Sequence, residues 1–521
     1  MKKRGISLIV LVITIIVIII LAVAVILSIA NNNPIENAKK AAFQNDIATL
    51  KEELDLYIQK QYVDSQGTYK ASDLNKLGED IKDILPDIKD KYIGKIAING
   101  GSLEYTDESN MQEYNWASET LTGEKSNYDK AVSSDSKNMQ INNATAGKLG
   151  NLKIYGNSIQ NGTPTPDNPV EIQSVGELVT DANDSNYGKY KIPVTVTGKN
   201  IGTAKQVYSG LKKSAGTAND SGYTEIKLDD RDCISFIDNF EMKYSDIYFK
   251  ENTQYTFSFD YKQTMNSSSA PNKTSGLLYI WYTDSSRDDI VVSNPNYETE
   301  WKHISYTSKA NKTIKEIGTI SHNYCFKNYI DINTFQIEEG NKETDYEPYK
   351  GQTTNIYFNE PLRKVGDAVD YIDFKNKKVV RNVGVENLSD IRNSFHEYAS
   401  MLSVNGYSIY YNFTYSKTNN SDLICTHFEM NTNHLSGSNH ITLKPELQRI
   451  FIGINSEIVA AADKVAFRGW LLNNNPKLFY VLNTPTEETI EIPEISIING
   501  TNNISIGTSV NPSKMEVVYG K

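Results

Sequence analysis

The sequence predicts a multidomain, mainly β protein: an N-terminal transmembrane and amphipathic α-helix with a small β-sheet, then β-sandwich modules. Three observations carry this prediction. Residues 6–30 form one apolar stretch, broken only by Ser7, Thr14 and Ser28. The rest is polar, since mean hydropathy over the whole chain is −0.47 despite that stretch. It is also rich in Asn, Ser, Thr and Tyr, with Tyr 33 against Phe 16. Such residues in short alternating runs fit sheets with polar outer faces and Asn/Gly turns.

The bulk numbers bound the function. A chain of 521 residues holds several domains of ~150 residues each. Its net charge of −11 excludes the counterion release that drives nucleic-acid binding. The three cysteines, Cys233, Cys325 and Cys425, are far apart and odd in number. They form neither a disulfide framework nor a metal-type spacing. They read as buried small hydrophobes, with a Cys233–Cys325 bridge as the alternative.

The N-terminal elements follow in order. As a helix, residues 6–30 are about 37 Å long, enough to cross a ~30 Å hydrocarbon core. A cleaved secretory signal has a shorter apolar region of about 7–15 residues. Lys2, Lys3 and Arg4 precede the stretch, so the N-terminus is expected in the cytoplasm and the bulk outside. Next, Asn33 is a cap candidate, Pro34 suits the first helical turn, and Glu36 stands three after the cap. Ile35, Phe43, Ile47, Leu50, Leu54 and Ile58 recur at helical spacing. "YIGKIAINGGSLEYT" reads as a hairpin turning at Asn99-Gly100-Gly101.

The opening "KKRGISLIVLVI" resembles a type IV prepilin leader: short, basic and ending in Gly5 before hydrophobic Ile6. The resemblance implies a leader at 1–5, cleavage between Gly5 and Ile6 by a prepilin peptidase, N-methylation of Ile6 and contact with other pilin subunits. One position departs from it. The family's Glu at the fifth mature position is Val10 here, so the resemblance implies processing without the charge pair used in filament assembly. A long N-terminal helix with a small sheet over 31–122 resembles pilin-like proteins of Gram-positive anaerobes. The alternative is a plain signal-anchor with a helical stalk.

Residues 123–148 lack periodicity and read as a linker. In 149–194, Pro164, Pro166 and Pro169 force an extended, kinked loop between strands at Lys153–Ile159 and Val170–Val175. Between 195 and 350 the pattern is all β. In "YTFSFDY", Tyr255, Phe257, Phe259 and Tyr261 share one face and Thr256, Ser258 and Asp260 the other. "GLLYIWYT" is nearly apolar throughout, as for a strand buried on both faces or lining a groove. The region 351–521 repeats β grammar as a second sandwich-like module, with one helix predicted at 459–472.

Three strings, "NLKIYGNSIQNGTPTPDNPVEIQSVGE", 359–384 and 479–519, resemble minor tail-associated structural proteins of phages and prophages of Gram-positive bacteria. "FSFDYK", Trp301 and "DINTFQIEEG" resemble a jelly-roll carbohydrate-binding module. Sugars stack their C–H faces on aromatic rings, which makes Tyr279, Trp281, Tyr282 and Trp301 the ligand-binding candidates. Tyr279 and Trp281 share a face and Tyr282 takes the other. The competing reading is that strand aromatics are core. Asp331 resembles a calcium-coordinating position of such modules, implying a structural Ca²⁺; no other cofactor is expected. The cluster Asp229, Asp230, Asp232 reads as a solvated turn.

Catalytic signatures are missing. Ser209 and Lys212 match S-x-x-K, but without S-D-N or K-T-G. There is no G-x-S-x-G, Walker A or H-E-x-x-H. The sequence therefore points to a non-enzymatic, membrane-anchored surface protein whose β modules bind polysaccharide or another surface ligand. The alternatives are a prophage-derived structural spacer or host-surface-binding protein, and a glycan hydrolase.

Overall fold

A computed structural model describes residues 34–134, 137–208, 223–237, 242–244, 247–265, 274–293, 299–319, 326–390, 403–404, 408–432, 439–455, 457–459 and 464–521. The leader 1–5, the apolar run 6–30, Asn33, Ser209, Lys212 and Cys325 lie outside the described residues. No described helix is long and apolar enough to cross a membrane. The described chain is mainly β and divides into two compact units, Met1–Lys130 with Gly520–Lys521, and Ala131–Tyr519.

In the first unit, the helix Pro34–Asp64 buries Phe43, Ile47, Leu50 and Leu54. These are the residues its spacing places on one face, while Ile35 at the helix start stays 71% exposed. A second helix, Met111–Thr122, is capped by the Asn110 side chain, which accepts from the Glu113 amide. It stops at Gly123, whose φ of 77° ends the helix in the left-handed region. Opposite lies a three-stranded antiparallel sheet of Lys76–Leu77, Ile96–Asn99 and Ser102–Tyr105. The expected hairpin turns at Gly100 and Gly101, both with positive φ, between paired Asn99 and Ser102. The Tyr105 hydroxyl donates to Glu113 at 2.7 Å and that of Tyr92 donates to Asp46 at 2.8 Å, giving both buried rings a polar outlet.

The second unit holds three cores. The first lies between two sheets assembled from distant parts of the chain. One sheet centres on Tyr190–Thr197, which pairs with Gly351–Phe358 on one side and Gly500–Ile506 on the other; Asn138–Ala144 then pairs with Gly500–Ile506. The other runs through Lys477–Thr489, Lys378–Asn387, Tyr371–Asp373, Leu152–Tyr155 and Lys514–Gly520. Val194, Val196, Ile356, Ile504 and Met139 meet Leu152, Ile154, Ile372 and Val517 between them. The three separated strings that carry the phage resemblance thus contribute to one core.

Two consequences alter the sequence reading. The Pro-rich segment 149–194 shares its core with 351–381 and 486–519. The expected linker 123–148 instead contains the strands Tyr128–Ser134, Asn138–Ala144 and Gly147–Lys148. Met139 and Ile141 alternate inward there with only polar neighbours between them. That pattern is too short to stand out, and it becomes a strand because Asn138–Ala144 finds Gly500–Ile506, far along the chain.

The second core belongs to a β-sandwich inserted between the first sandwich's strands. One antiparallel sheet orders Thr224–Leu228, Arg231–Ile237, Phe326–Asp331, Tyr255–Met265 and Lys302–Thr307, with Gln336–Glu339 also on Tyr255–Met265. The other orders Met242–Tyr244, Ile314–Thr319, Thr274–Tyr282 and Arg287–Ser293. Phe257, Phe259 and Tyr261 face Leu278, Ile280 and Ile317 across the core. The third core joins a five-stranded sheet, including Ser408–Thr414 and Arg449–Asn455, to the helix Lys464–Asn474 through Phe467 and Leu471. The helix predicted at 459–472 is described over Lys464–Asn474 and ends before Pro476; residues 460–463 lie outside the described residues.

A buried carboxylate ties the first sandwich together. Asp370 is fully buried and accepts from the amides of Arg363 at 3.1 Å, Asn382 at 2.8 Å and Val383 at 2.9 Å. Arg381 reaches it through Nη1 at 3.5 Å and donates through Nη2 to Glu488 at 3.2 Å. Burial raises the Asp370 carboxyl above its usual range, against the pull of Arg381 and the amides.

Candidate functional site

The four candidate aromatics lie on three different surfaces of the inserted sandwich. The strand Thr274–Tyr282 sends Leu278, Ile280 and Tyr282 into the core. Tyr279 and Trp281 take the opposite, outer face of the four-stranded sheet, as two-residue alternation requires. Tyr282 is therefore a core residue, only 1% exposed. Its hydroxyl donates to Asp288 and accepts from the Lys309 amide at 2.8 Å, and burial pushes that phenol up. It offers no face to a ligand.

Tyr279 is on the outer face but is only 2% exposed. Its ring folds back over Gly276, where a Cβ would stand 2.4 Å from the Tyr279 hydroxyl. Only glycine leaves that room. The Arg287 guanidinium lies 5.0 Å from the Tyr279 ring centre and the Trp281 ring 6.0 Å away. Trp281 is the half-buried member of the pair. In the ladder it stands between Arg287 on one neighbouring strand and Glu316 on the other, with Asp289 and Gly318 beside Tyr279. Arg287 donates to both oxygens of Asp289, the second at 3.0 Å, a forked pair that fixes its plane. The outer face thus presents an indole rimmed by an Arg–Asp pair and a Glu. Arg287, Asp289 and Glu316 escape a sequence reading, because cross-strand neighbours depend on register.

Trp301 and Asp331 belong to the other sheet. Trp301 donates its indole N–H to Asp229 at 3.0 Å, and Arg231 covers a ring face at 4.6 Å. Asp229 and Asp230, with φ of 51° and 63°, form the two-residue turn joining Thr224–Leu228 to Arg231–Ile237. Asp331 is 5% exposed. One of its oxygens accepts from Arg231 at 3.0 Å and the other from the Asn333 amide at 2.9 Å. Arg231 also binds Asp260 at 2.7 Å. A guanidinium thus stands between the two carboxylates where a cation would need to be, and these residues do not fit a calcium site. Among the described residues no group of three or more His, Cys, Asp or Glu could hold a metal.

The same network continues to His303, which contacts Asp260 at 2.8 Å through Nδ1 and Glu343 at 2.9 Å through Nε2. Burial lowers the His303 imidazole, but its hydrogen bonds to both carboxylates outweigh this and hold His303 above the ordinary histidine range. Burial raises Asp260, and its bonds to Arg231 and His303 more than offset this, so Asp260 titrates below the usual carboxylate range. Among the described residues Cys233 and Cys425 are free thiols, each pushed up to about 11 by burial. Both are therefore poor nucleophiles at neutral pH.

No protein-family model matches the chain, and no curated protein matches it. Among solved structures, the chain is 8% identical to a chain in the structure of infectious bursal disease virus Gx strain, covering 75% of this chain and 82% of that one, with a TM-score of 0.12. It is also 8% identical to a chain in the crystal structure of the infectious bursal disease virus VP2 subviral particle, covering 76% of this chain and 85% of that one, again with a TM-score of 0.12. Similarity at that level carries no argument about this chain.

Proposed function

We propose that this chain is a membrane-anchored, pilin-like surface protein without catalytic activity, whose inserted sandwich binds glycan. Residues 6–30 anchor it with the N-terminus in the cytoplasm, and the β modules stand outside. The observation that carries the glycan reading is the outer face around Trp281. An indole with part of its surface open, edged by Arg287, Asp289 and Glu316, joins a stacking platform for sugar C–H groups to a rim that can bond hydroxyls. Trp301 stands on the other sheet, with its N–H held by Asp229 and a ring face covered by Arg231. The jelly-roll resemblance of 195–350 and the prepilin resemblance of 2–13 support the same reading.

The test is retention of the full chain, in a detergent without a sugar headgroup, on insoluble cell-wall polysaccharide. Trp281→Ala should lower retention about tenfold, the worth of one stacking contact. Trp301→Ala should leave it nearly unchanged. Equal binding by wild type and Trp281→Ala would refute this site. No binding by any form would leave the spacer as the better reading.

A further inference from the structure

Where the inserted sandwich meets the first sandwich lies a partly open cavity of about 170 Å³. Its floor is the outer face of the sheet centred on Tyr190–Thr197. Strand register sets Thr353, Thr195, Ser505 and Asn138 side by side in one rung and Thr197 beside Asn503 in the next. Its roof comes from the insert and its flanks: Tyr248, Tyr349 and Gln206, with Ile201 and Ile247. None of the lining residues is charged, although charged residues make up 22% of the chain.

The cavity has the features of a constructed site. Both roof tyrosines are seated on glycines. A Cβ at Gly351 would lie 2.0 Å from the Tyr349 hydroxyl, and one at Gly507 would lie 2.5 Å from the Tyr248 hydroxyl. Two floor residues that carry hydroxyls are nearly buried. Thr197 and Ser505 are only 7% and 8% exposed, and both line the cavity. A hydroxyl lining a cavity can both donate to and accept from a molecule held there. Thr195 and Thr353 share a bond at 2.9 Å and keep further bonding capacity.

We infer that this junction cavity binds one small neutral polyol, of the size of a single hexose. The volume is well below the ~300–1,000 Å³ of drug-sized pockets, which suits one sugar ring. Hydroxyl and amide groups on the floor match sugar hydroxyls, and the roof tyrosines and isoleucines match its C–H surface. With no charge in the lining, a charged analogue would lose its hydration without gaining a counter-ion. The site is separate from the Trp281 face and does not depend on the proposed function.

The experiment is saturation-transfer NMR on the full chain in a detergent without a sugar headgroup, with glucose, N-acetylglucosamine and myo-inositol as probes. Glucosamine and glucuronate serve as the charged comparisons. At least one neutral probe should bind and the charged pair should bind at least tenfold more weakly. Thr197→Val and Tyr349→Phe, which remove a hydroxyl at nearly constant shape, should each weaken binding about tenfold. Trp281→Ala should leave it unchanged. Circular dichroism of each variant checks the fold, and Ser505→Ala replaces any variant that fails it. The inference is overturned if no neutral probe binds, if charged analogues bind equally, or if Trp281→Ala alone abolishes the signal. In those cases the cavity is a hydrated interface only.

Discussion

Replacing Asp370 by Ala should loosen the first sandwich more than most single changes in this chain. The carboxylate is fully buried and accepts three backbone amides, those of Arg363, Asn382 and Val383. Each buried donor left without an acceptor costs about 1–3 kcal/mol. Arg381 loses a partner too, but it keeps Glu488 and the carbonyls of Glu360 and Pro361. Simple addition overstates the sum, because water can enter the gap. The expected loss is about 3–5 kcal/mol, as for one broken member of a buried ion pair. Asp370→Asn keeps one acceptor oxygen and should lose about half as much. A chain of several cores need not unfold in one step, so a global unfolding energy is a poor readout. Amide hydrogen exchange followed by mass spectrometry reads the segment itself. Peptides from 361–383 should exchange on the order of 100- to 4,000-fold faster in Asp370→Ala, at ~1.4 kcal/mol per tenfold. An increase below about threefold would mean that the carboxylate does not hold this segment, and the reasoning fails.

Three further outcomes follow from the same geometry. Tyr282→Ala should destabilise the inserted sandwich by about 3–5 kcal/mol, since it removes a core ring and one partner of Asp288; faster exchange across 274–293 checks it, and an unperturbed fold would return Tyr282 to the ligand candidates. Gly101→Ala should destabilise the first unit by about 2–4 kcal/mol, because φ is +76° and the new Cβ would sit 2.6 Å from the Ala71 carbonyl oxygen; the loss of exchange protection in 96–105 measures it. His303 titrates above the ordinary histidine value in the fold. Its contribution to stability is therefore complete below the unfolded value and is lost as pH rises through the folded one. Exchange in 255–265 and 302–307 should quicken beyond the intrinsic rate as pH rises past the ordinary histidine value of about 6.5, and His303→Gln should abolish that excess; an excess that persists in the variant would place the titration elsewhere.

Much of the local structure was legible in the residues alone. Phe43, Ile47, Leu50 and Leu54 mark the buried face of the first helix, and they pack as that spacing requires. Asn99-Gly100-Gly101 marks the hairpin, because only residues tolerant of positive φ can make so tight a turn. Alternation also separated Tyr282 from Tyr279 and Trp281. It could not tell that Tyr279 would be covered. That depends on Gly276 leaving room for its ring and on Arg287 arriving from the next strand.

Partnership is what the tertiary structure alone decided. A period of two tells a strand which face to bury but not which strand to join. So the pairing of Asn138–Ala144 with Gly500–Ile506 has no local signal, and 123–148 reads as a linker until its partner is present. Asp331 reads as a metal ligand until Arg231, from the neighbouring strand, takes the place of the cation. The junction cavity is the extreme case. Its floor comes from four strands spread from Asn138 to Ser505, and its roof from an insertion between them. Local propensity set the elements, while long-range burial of Val194, Ile504 and Leu152 in one core decided which of them lie side by side.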